Sequence, residues 1–202
     1  LTISVSDEVE TMLRVYTEGV RDADAMLGRL VDTFSAQEEP VVLVYFGDHL
    51  PYLGDNQLAY AELGMDVAVA EEDREDPLCS YETPYVIWAN DAAAQALDWE
   101  DAVASLDLPE SGRLSAAFLG STVLELTGRA GESPWFDFLN QLRREVPVVQ
   151  KKTYMIPDGT YIKERDLLDW APAEGADGTK ISEDVLKWRQ WSYYKLRYKD
   201  IG

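Results

Sequence analysis

The sequence has one histidine, one cysteine, few basic side chains and no long apolar run, and each shortage narrows the class of protein. The single cysteine, Cys79, cannot form a disulfide within the chain, which excludes a disulfide-stapled scaffold but not an exported protein. No apolar stretch approaches the roughly 20 residues that span a bilayer, and the sequence does not open with the basic and apolar regions of a signal peptide. We therefore expect this chain itself to be soluble.

The deficit of basic residues argues against nucleic acid as a partner. The formal net charge is −20; residues 1–110 carry 4 basic and 25 acidic side chains (net −21), whereas residues 111–202 carry 14 and 13 (net +1). Binding to a phosphate backbone requires a basic patch that displaces counterions. An acidic surface also attracts cations, but a charge excess of this kind more often belongs to a solvated face.

The patterns that are present predict an α/β protein. From Asp7 to Phe34, apolar residues recur every three or four positions, as on one face of a long helix, and Asp7 with Glu10 has the form of a capping box. The stretch "VVLVYF" (residues 41–46) is a continuous apolar run typical of a strand buried on both faces. A helix followed by such a strand predicts a parallel sheet, with "TPYVIWAN" (residues 83–90) as a second buried strand.

The second half of the chain is predicted to contain helices and a hairpin. Apolar periodicity predicts helices near residues 91–99, 113–127 and 134–145, the middle one ending before Gly128. The segment "VVQKKTYMIPDGTYIKERDLL" (residues 148–168) has the pattern of two strands around a Pro-Asp-Gly turn. A last helix closes the chain.

That last helix mixes aromatic residues, including Trp188 and Trp191, with lysines and arginines. Such mixtures occur in helices that bind nucleic acids or membrane surfaces. The net charge opposes both partners, however, and Ile181, Val185, Trp188 and Trp191 form an apolar stripe. We therefore interpret this helix as packing against its own domain.

The only histidine, His49, stands at the end of the first apolar run, in "PVVLVYFGDHLPYLGDN" (residues 40–56). The carboxyl ends of parallel strands form the crevice where α/β proteins bind ligands, and the backbone freedom of Gly47 would let Asp48 and His49 converge there. A carboxylate oxygen with an imidazole nitrogen suits Mn²⁺, Zn²⁺ or Mg²⁺. The alternative is that His49 makes a loop hydrogen bond beside a capping Asp48. Tyr52 and Asp55, which follow closely, are interpreted as ordinary loop residues.

The motif "VVLVYFGDHLP" resembles the late metal-binding motif of the alkaline phosphatase superfamily, in particular the sulfatase-like branch of lipoteichoic acid synthases and phosphoglycerol transferases. The helix "YTEGVRDADAMLGRLVDTF" before it, the strand "YETPYVIWAN" after it and the tail "LKWRQWSYYKLRYKDIG" are also similar to that family. The resemblance implies an α/β fold: a partial alkaline-phosphatase-like sheet with flanking helices, plus a small C-terminal β-hairpin and helix. Residues 1–146 would be the C-terminal portion of the catalytic domain, and residues 147–202 its hairpin and last helix.

The same resemblance makes Asp48 and His49 two ligands of a catalytic divalent cation, with Mn²⁺ expected and Mg²⁺, Zn²⁺ or Ca²⁺ as alternatives. In the family, an upstream acidic residue and a threonine nucleophile complete the site. Neither is found here, because the candidate threonines lie within the first helix or after the motif: Thr11, Thr17, Thr83 and Thr122. We assign no catalytic residue and expect the chain to be inactive alone, with the missing upstream half of the catalytic domain as its partner.

The resemblance implies a fragment of a metal-dependent transferase that moves glycerol phosphate, or a related phosphoalkyl group, from a lipid donor to a cell-surface polymer or glycan. We expect the parent to be membrane-anchored with this domain outside a bacterial cell, and a second copy of the chain to be able to bind at an exposed sheet edge. Two alternatives stay open. One is a hydrolase of the sulfatase or phosphodiesterase type, and the other is a non-catalytic binding module with a degenerate sulfatase-like fold.

Overall fold

The computed structural model describes residues 3–70, 73–166 and 178–197. The chain divides into two compact units, Leu1–Trp99 and Glu100–Gly202. Helices and small sheets occur in the described residues, so the predicted mixed α/β class is confirmed. The assignment of residues 1–146 to one catalytic domain stays a prediction. No helix in the described ranges is both long and apolar enough to cross a membrane.

The first unit contains one long helix and a two-stranded sheet. Its elements are α1 (Asp7–Ser35), β1 (Val42–Phe46), α2 (Leu58–Glu62), β2 (Tyr85–Ala89) and α3 (Asp91–Leu97). A further short helix, α4 (Trp99–Ser105), begins at the last residue of this unit and lies otherwise in the second; it was not predicted from the sequence. The strand positions agree with the apolar runs of the sequence to within two residues.

Helix α1 begins one residue earlier than the predicted capping box. The hydroxyl of Ser6 accepts a hydrogen bond from the amide of Val9 at 3.3 Å, so Ser6 is the N-cap. The backbone amide and the hydroxyl of Ser6 also donate to the carboxylate of Glu62, at 2.7 and 2.9 Å. The cap therefore attaches α1 to α2, a contact that the pattern of Asp7 and Glu10 did not indicate.

The predicted parallel sheet is wrong, because β1 and β2 pair antiparallel with Val44 opposite Ile87. The connection between the strands closes on itself: the amide of Gly47 donates to the carbonyl of Pro84 at 3.0 Å. The chain thus enters β2 beside the point where it leaves β1, and β2 therefore runs antiparallel to β1. The strands are also half-buried rather than buried on both faces, and Phe46 and Val86 are 50% and 47% exposed.

Asn90 joins three elements of the first unit. It is 1% exposed, and its Oδ1 accepts from the amide of Val41 at 3.0 Å and from the amide of Ala93 at 2.9 Å, which caps α3. Its Nδ2 donates to three carbonyls at the end of α1 and in the following turn, those of Phe34, Gln37 and Glu39 at 2.8 to 3.2 Å. A single buried amide therefore fixes where α1 ends and where β1 and α3 begin.

The second unit packs two helices and a C-terminal helix around a small meander. Its elements are α5 (Ala116–Leu126), α6 (Pro134–Glu145), β3 (Val148–Val149), β4 (Thr153–Met155), β5 (Tyr161–Lys163) and α7 (Gly178–Arg197). The predicted hairpin is confirmed as β4–β5, and β3 adds a third antiparallel strand. Every one of these elements contributes apolar side chains to the core, among them Phe118, Leu142, Tyr154, Ile162 and Val185.

Local turn chemistry explains the hairpin. The carboxylate of Asp158 accepts from the amide of Thr160 at 2.8 Å, and this hydrogen bond holds the pKa of Asp158 below its ordinary value. Gly159 follows at φ +89°, a backbone region open to glycine at little cost. The Pro-Asp-Gly sequence therefore specifies the turn without help from distant residues.

Candidate metal centre

Asp48 and His49 lie directly after β1 and project into solvent. Their side chains are 83% and 75% exposed, and Oδ2 of Asp48 is 3.5 Å from Nε2 of His49. Both residues lie in a bend rather than in the strand, so the alternation that would separate them on a strand does not apply. The convergence predicted from the sequence is therefore observed, while metal ligation by the pair stays a prediction.

Position 47 requires glycine for its lack of a side chain rather than for its backbone freedom. Its φ lies outside the left-handed region, so any residue could adopt its conformation. A Cβ at position 47, however, would lie 2.9 Å from Cβ of Thr83 and 3.3 Å from its methyl carbon. The hydroxyl of Thr83 also donates to the carbonyl of Gly47 at 2.7 Å. Thr83 thus holds the backbone just before the Asp-His pair, a role that no local sequence pattern could reveal across 36 residues.

One contact favours a particular tautomer of His49. Its Nδ1 lies 2.8 Å from the carbonyl oxygen of Leu50. A carbonyl oxygen only accepts hydrogen bonds, so this contact suits the proton on Nδ1, the tautomer in which Nε2 of the neutral ring keeps its lone pair. A backbone carbonyl on the far nitrogen is the usual second partner of a metal-binding histidine. The loop hydrogen bond considered as an alternative is therefore present, and it leaves Nε2 able to bind a cation.

The spacing of the two donor atoms fits one ion. Two ligand atoms that each lie 2.0–2.2 Å from a metal are separated by roughly 2.8–3.6 Å at octahedral to tetrahedral angles. The observed 3.5 Å between Oδ2 and Nε2 is within that range. No group of three or more histidine, cysteine, aspartate or glutamate side chains suited to a metal occurs among the residues that the structure describes. The pair therefore offers two donor atoms at the spacing of neighbouring ligands of one ion, and its role as a metal ligand stays a prediction.

The loop that follows the Asp-His pair is anchored by a buried side chain and a hydrogen bond. Leu53 is 6% exposed in the apolar cluster that also contains Val9 and Tyr60, and the phenol of Tyr60 donates to the carbonyl of Pro51 at 2.9 Å. Tyr52, in contrast, is 77% exposed, and its phenol donates to the carboxylate of Asp55. That hydrogen bond, with a smaller contribution from burial, raises the pKa of Tyr52 above its ordinary value. The structure places Tyr52 and Asp55 against each other rather than against the Asp-His pair.

Three of the four candidate threonines donate hydrogen bonds to backbone carbonyls. Thr11 donates to the carbonyl of Asp7 at 2.8 Å, and the buried Thr122 donates to the carbonyl of Phe118 at 2.8 Å, each within its own helix. Thr83 is occupied with Gly47, as described above. The assignment of no catalytic residue to this chain stays a prediction.

Comparison with known proteins gives one relative and one family. The relative is described as a "putative cyclic beta-1,2-glucan modification protein" from Rhizobium meliloti (strain 1021). It is 25% identical over 190 residues, which cover 90% of this chain but 26% of the relative, so the chain spans about a quarter of that protein's length. No solved structure matches.

The family assignment is independent of that relative. A model of the Sulfatase family matches residues 3–129, more than half of the chain, and the matched region includes β1, the Asp-His pair and β2. Proteins of this family generally use a divalent metal ion, which agrees with the donors described above. The chain belongs to the Sulfatase family.

Proposed function

We propose that this chain is part of a metal-dependent transferase that moves a phosphoglycerol or related phosphoalkyl group onto a cell-surface glycan. The observation that carries the proposal is the Asp48–His49 pair, whose donor atoms lie 3.5 Å apart with the lone pair of Nε2 available. In this proposal the pair supplies two ligands of the catalytic cation. The remaining ligands and the nucleophile come from a part of the parent that precedes this chain.

Each residue at the centre has a defined task. Asp48 contributes an anionic oxygen, and His49 contributes a neutral nitrogen that the carbonyl of Leu50 orients. Thr83 fixes the carbonyl of Gly47 and so holds the backbone on which both ligands stand. The ion, when bound, stabilises negative charge on the transferred group. No step of the transfer is assigned to a side chain of this chain beyond holding that ion.

Two features support a partner segment that completes the unit. The middle of α1 exposes two apolar side chains four residues apart and therefore on one face of the helix, Tyr16 and Val20, at 42% and 47%. In a compact protein such a face is ordinarily covered. The chain also spans about a quarter of its relative's length, which leaves room for a covering segment. We propose that the upstream half of the parent packs on this face of α1.

The glycan acceptor is proposed from the relative, whose printed description concerns modification of a glucan. The family description favours a second candidate, a hydrolase of sulfate or phosphate esters. Both reactions need the same cation and differ in the acceptor, which is a glycan hydroxyl in one and water in the other; in each the alcohol of the donor ester leaves with the proton that the acceptor gives up. The Asp-His pair has the same task in both.

Binding of the cation by this chain is tested through its single histidine, which gives one unambiguous set of imidazole proton signals in an NMR spectrum. Substoichiometric Mn²⁺ should broaden the His49 signals selectively, because the paramagnetic ion would lie beside Nε2. We expect millimolar or weaker affinity, since the proposed centre draws two protein ligands from the described part of this chain. The substitution Asp48→Asn should reduce the broadening at equal Mn²⁺.

The control for diffuse binding is Asp66→Asn, which removes one acidic residue of the same unit at the start of a short 3₁₀ turn. It should leave the broadening unchanged. Equal broadening in wild type, Asp48→Asn and Asp66→Asn would mean that the ion binds the acidic surface non-specifically. That result would refute the proposed metal centre.

The reaction itself is tested on the full-length parent, supplied with a phosphoglycerol lipid donor and a glucan acceptor. Phosphorus NMR distinguishes phosphoglycerol attached to glucan from phosphoglycerol released into water. We expect attachment, and we expect Asp48→Asn and His49→Gln to abolish it while Asp66→Asn does not. Release into water alone would favour the hydrolase, and full activity of both site variants would refute the proposal.

A further inference from the structure

The loop after the Asp-His pair carries the most exposed large apolar side chain of the described residues. Tyr52 is 77% exposed, and its phenol donates a hydrogen bond to the carboxylate of Asp55. A ring left in water adds little to the stability of its own fold, because the hydrophobic gain depends on the area removed from water. The interpretation of these two residues as ordinary loop residues did not indicate this exposure. The face of the ring is therefore open to another molecule.

The backbone that carries this ring is held on both sides. The carbonyl of Pro51 accepts from the phenol of Tyr60 at 2.9 Å, and the carbonyl of Leu53 accepts from the amide of Ala59 at 3.1 Å. Tyr60 and Leu53 are themselves buried in the apolar cluster of the first unit. Tyr52 thus projects from a fixed loop. A ring in such a position loses little freedom when a ligand stacks on it, which favours binding.

The carboxylate beside the ring limits the kind of molecule that can cover it. Asp55 is exposed, and within the described residues its carboxylate accepts a hydrogen bond from Tyr52 alone. Burying a carboxylate without further hydrogen-bond donors is costly. An apolar protein surface laid on the ring of Tyr52 would bury Asp55 in that way. The fitting occupant therefore presents both an apolar face and hydrogen-bond donors.

The charge of the loop opposes an anionic occupant. Asp48 and Asp55 both lie on this loop, and the sequence has no lysine or arginine between Arg29 and Arg74. Proteins recognise phosphate groups chiefly through arginine and lysine side chains, and a carboxylate repels a nearby anion. The ring therefore suits a neutral molecule with many hydroxyl groups, which is the chemistry of a sugar.

We propose that Tyr52 and Asp55 bind a sugar ring of the neutral glycan acceptor and so determine the specificity for that acceptor. This inference rests on the proposed function. A β-linked glucose ring has a flat face of C–H groups, whose positively polarised hydrogens stack on the negative face of a phenol ring. Its hydroxyl groups donate to the carboxylate of Asp55. Tyr52 follows His49 by three residues, so their Cα atoms are at most about 11 Å apart. A sugar bound at Tyr52 is therefore close to the Asp-His pair.

The experiment measures the affinity of the full-length parent for a neutral cyclic β-1,2-glucan by calorimetry. EDTA is present, so that neither the cation nor the transfer contributes to the signal. We expect Tyr52→Leu to weaken binding about tenfold, equivalent to about 1.4 kcal/mol of lost stacking. Tyr52→Phe retains the aromatic face, so its affinity should be closer to that of the wild type. Asp55→Ala should also weaken binding, because it removes the acceptor of the sugar hydroxyls.

The matched control is Tyr81→Leu, which removes another exposed ring of the first unit, at 56%. It should bind the glucan as the wild type does. Absence of glucan binding, or equal affinity of the wild type and Tyr52→Leu, would overturn the inference. A melting temperature that Tyr52→Leu lowers in the parent but not in this chain would overturn it too, because the ring would then pack against another part of the parent. If the variant melts lower in both proteins, Asp55→Ala becomes the deciding variant.

Kinetics on the active parent give a second readout. We expect Tyr52→Leu to raise the KM for the glucan acceptor about tenfold and to change kcat by less than about twofold, since the ring binds the acceptor without taking part in the transfer. Loss of the Mn²⁺ effect on His49, or release of phosphoglycerol into water alone, would refute the transferase, and the Tyr52-dependent glucan affinity measured in EDTA would stand. An unchanged glucan affinity of Tyr52→Leu would refute the acceptor site and leave the attachment of phosphoglycerol as evidence for the transferase.

Discussion

At the scale of single residues, an added methyl group should have opposite effects at two glycines, Gly47 and Gly19. A Cβ on Gly47 would lie 2.9 Å from Cβ of Thr83, a distance that forces a shift, whereas a Cβ on Gly19 in α1 would meet nothing within 4 Å. We predict that Gly47→Ala lowers the free energy of unfolding by about 1–3 kcal/mol through overpacking. Gly19→Ala should raise it by about 0.5–1 kcal/mol, because alanine favours the helix. Urea denaturation of both variants measures the two signs.

The Gly47→Ala variant also tests the metal centre. The shift that the methyl group forces occurs one residue before Asp48, so the 3.5 Å between the two donor atoms should change. We expect weaker Mn²⁺ broadening of the His49 signals in Gly47→Ala and unchanged broadening in Gly19→Ala. Equal stability and equal broadening in both variants would show that the contact with Thr83 does not constrain the site.

At the scale of elements, the order of helix and strand depends on one buried amide. Asn90 accepts from two backbone amides, one just before β1 and one in α3, and donates to three carbonyls, one in α1 and two in the turn that follows it. We predict that Asn90→Ala costs about 2–5 kcal/mol of unfolding free energy, because several buried backbone groups lose their partner. Asn90→Asp should cost more, since a carboxylate cannot donate to the carbonyls and places a charge in their midst.

Thermal and urea denaturation measure these losses of unfolding free energy. The matched control is Asn56→Asp. Asn56 is exposed and sits at φ 54°, a conformation that aspartate also tolerates, so its change should be within about 0.5 kcal/mol. A similar small loss in both aspartate variants would show that water replaces the amide of Asn90.

The elements that the sequence predicted are those determined by local chemistry. The β4–β5 hairpin follows from Pro157, Asp158 and Gly159, whose turn needs no distant partner, and α1 follows from its apolar period. The strand pairing was predicted wrongly because it depends on contacts between Gly47 and Pro84, which are far apart in the sequence. The cap at Ser6 was missed for the same reason, since Glu62 holds it.

At the scale of the whole molecule, the sequence predicted only the part of the candidate site that lies in this chain. The position of Asp48 and His49 after an apolar strand identified the pair, but the tautomer of His49 depends on the direction of the Leu50 carbonyl, which no residue pattern encodes. The upstream partner proposed for the α1 face is likewise not something that this sequence could predict in detail. The proposal rests on the exposure of Tyr16 and Val20, at 42% and 47%.

The proposed covering of α1 predicts a difference between this chain and its parent. Val20 is 47% exposed, so Val20→Lys should change the unfolding free energy of this chain by no more than about 0.5 kcal/mol. In the parent the same lysine would be an unpaired charge against an apolar partner, which should reduce folded yield and melting temperature strongly. The control is Asp22→Lys, two positions further along α1 and therefore on its opposite face, which should be tolerated by both proteins. A parent that tolerates Val20→Lys would refute the covering, and a Val20→Lys chain that loses a concentration-dependent dimer would assign the face to a second copy of this chain instead.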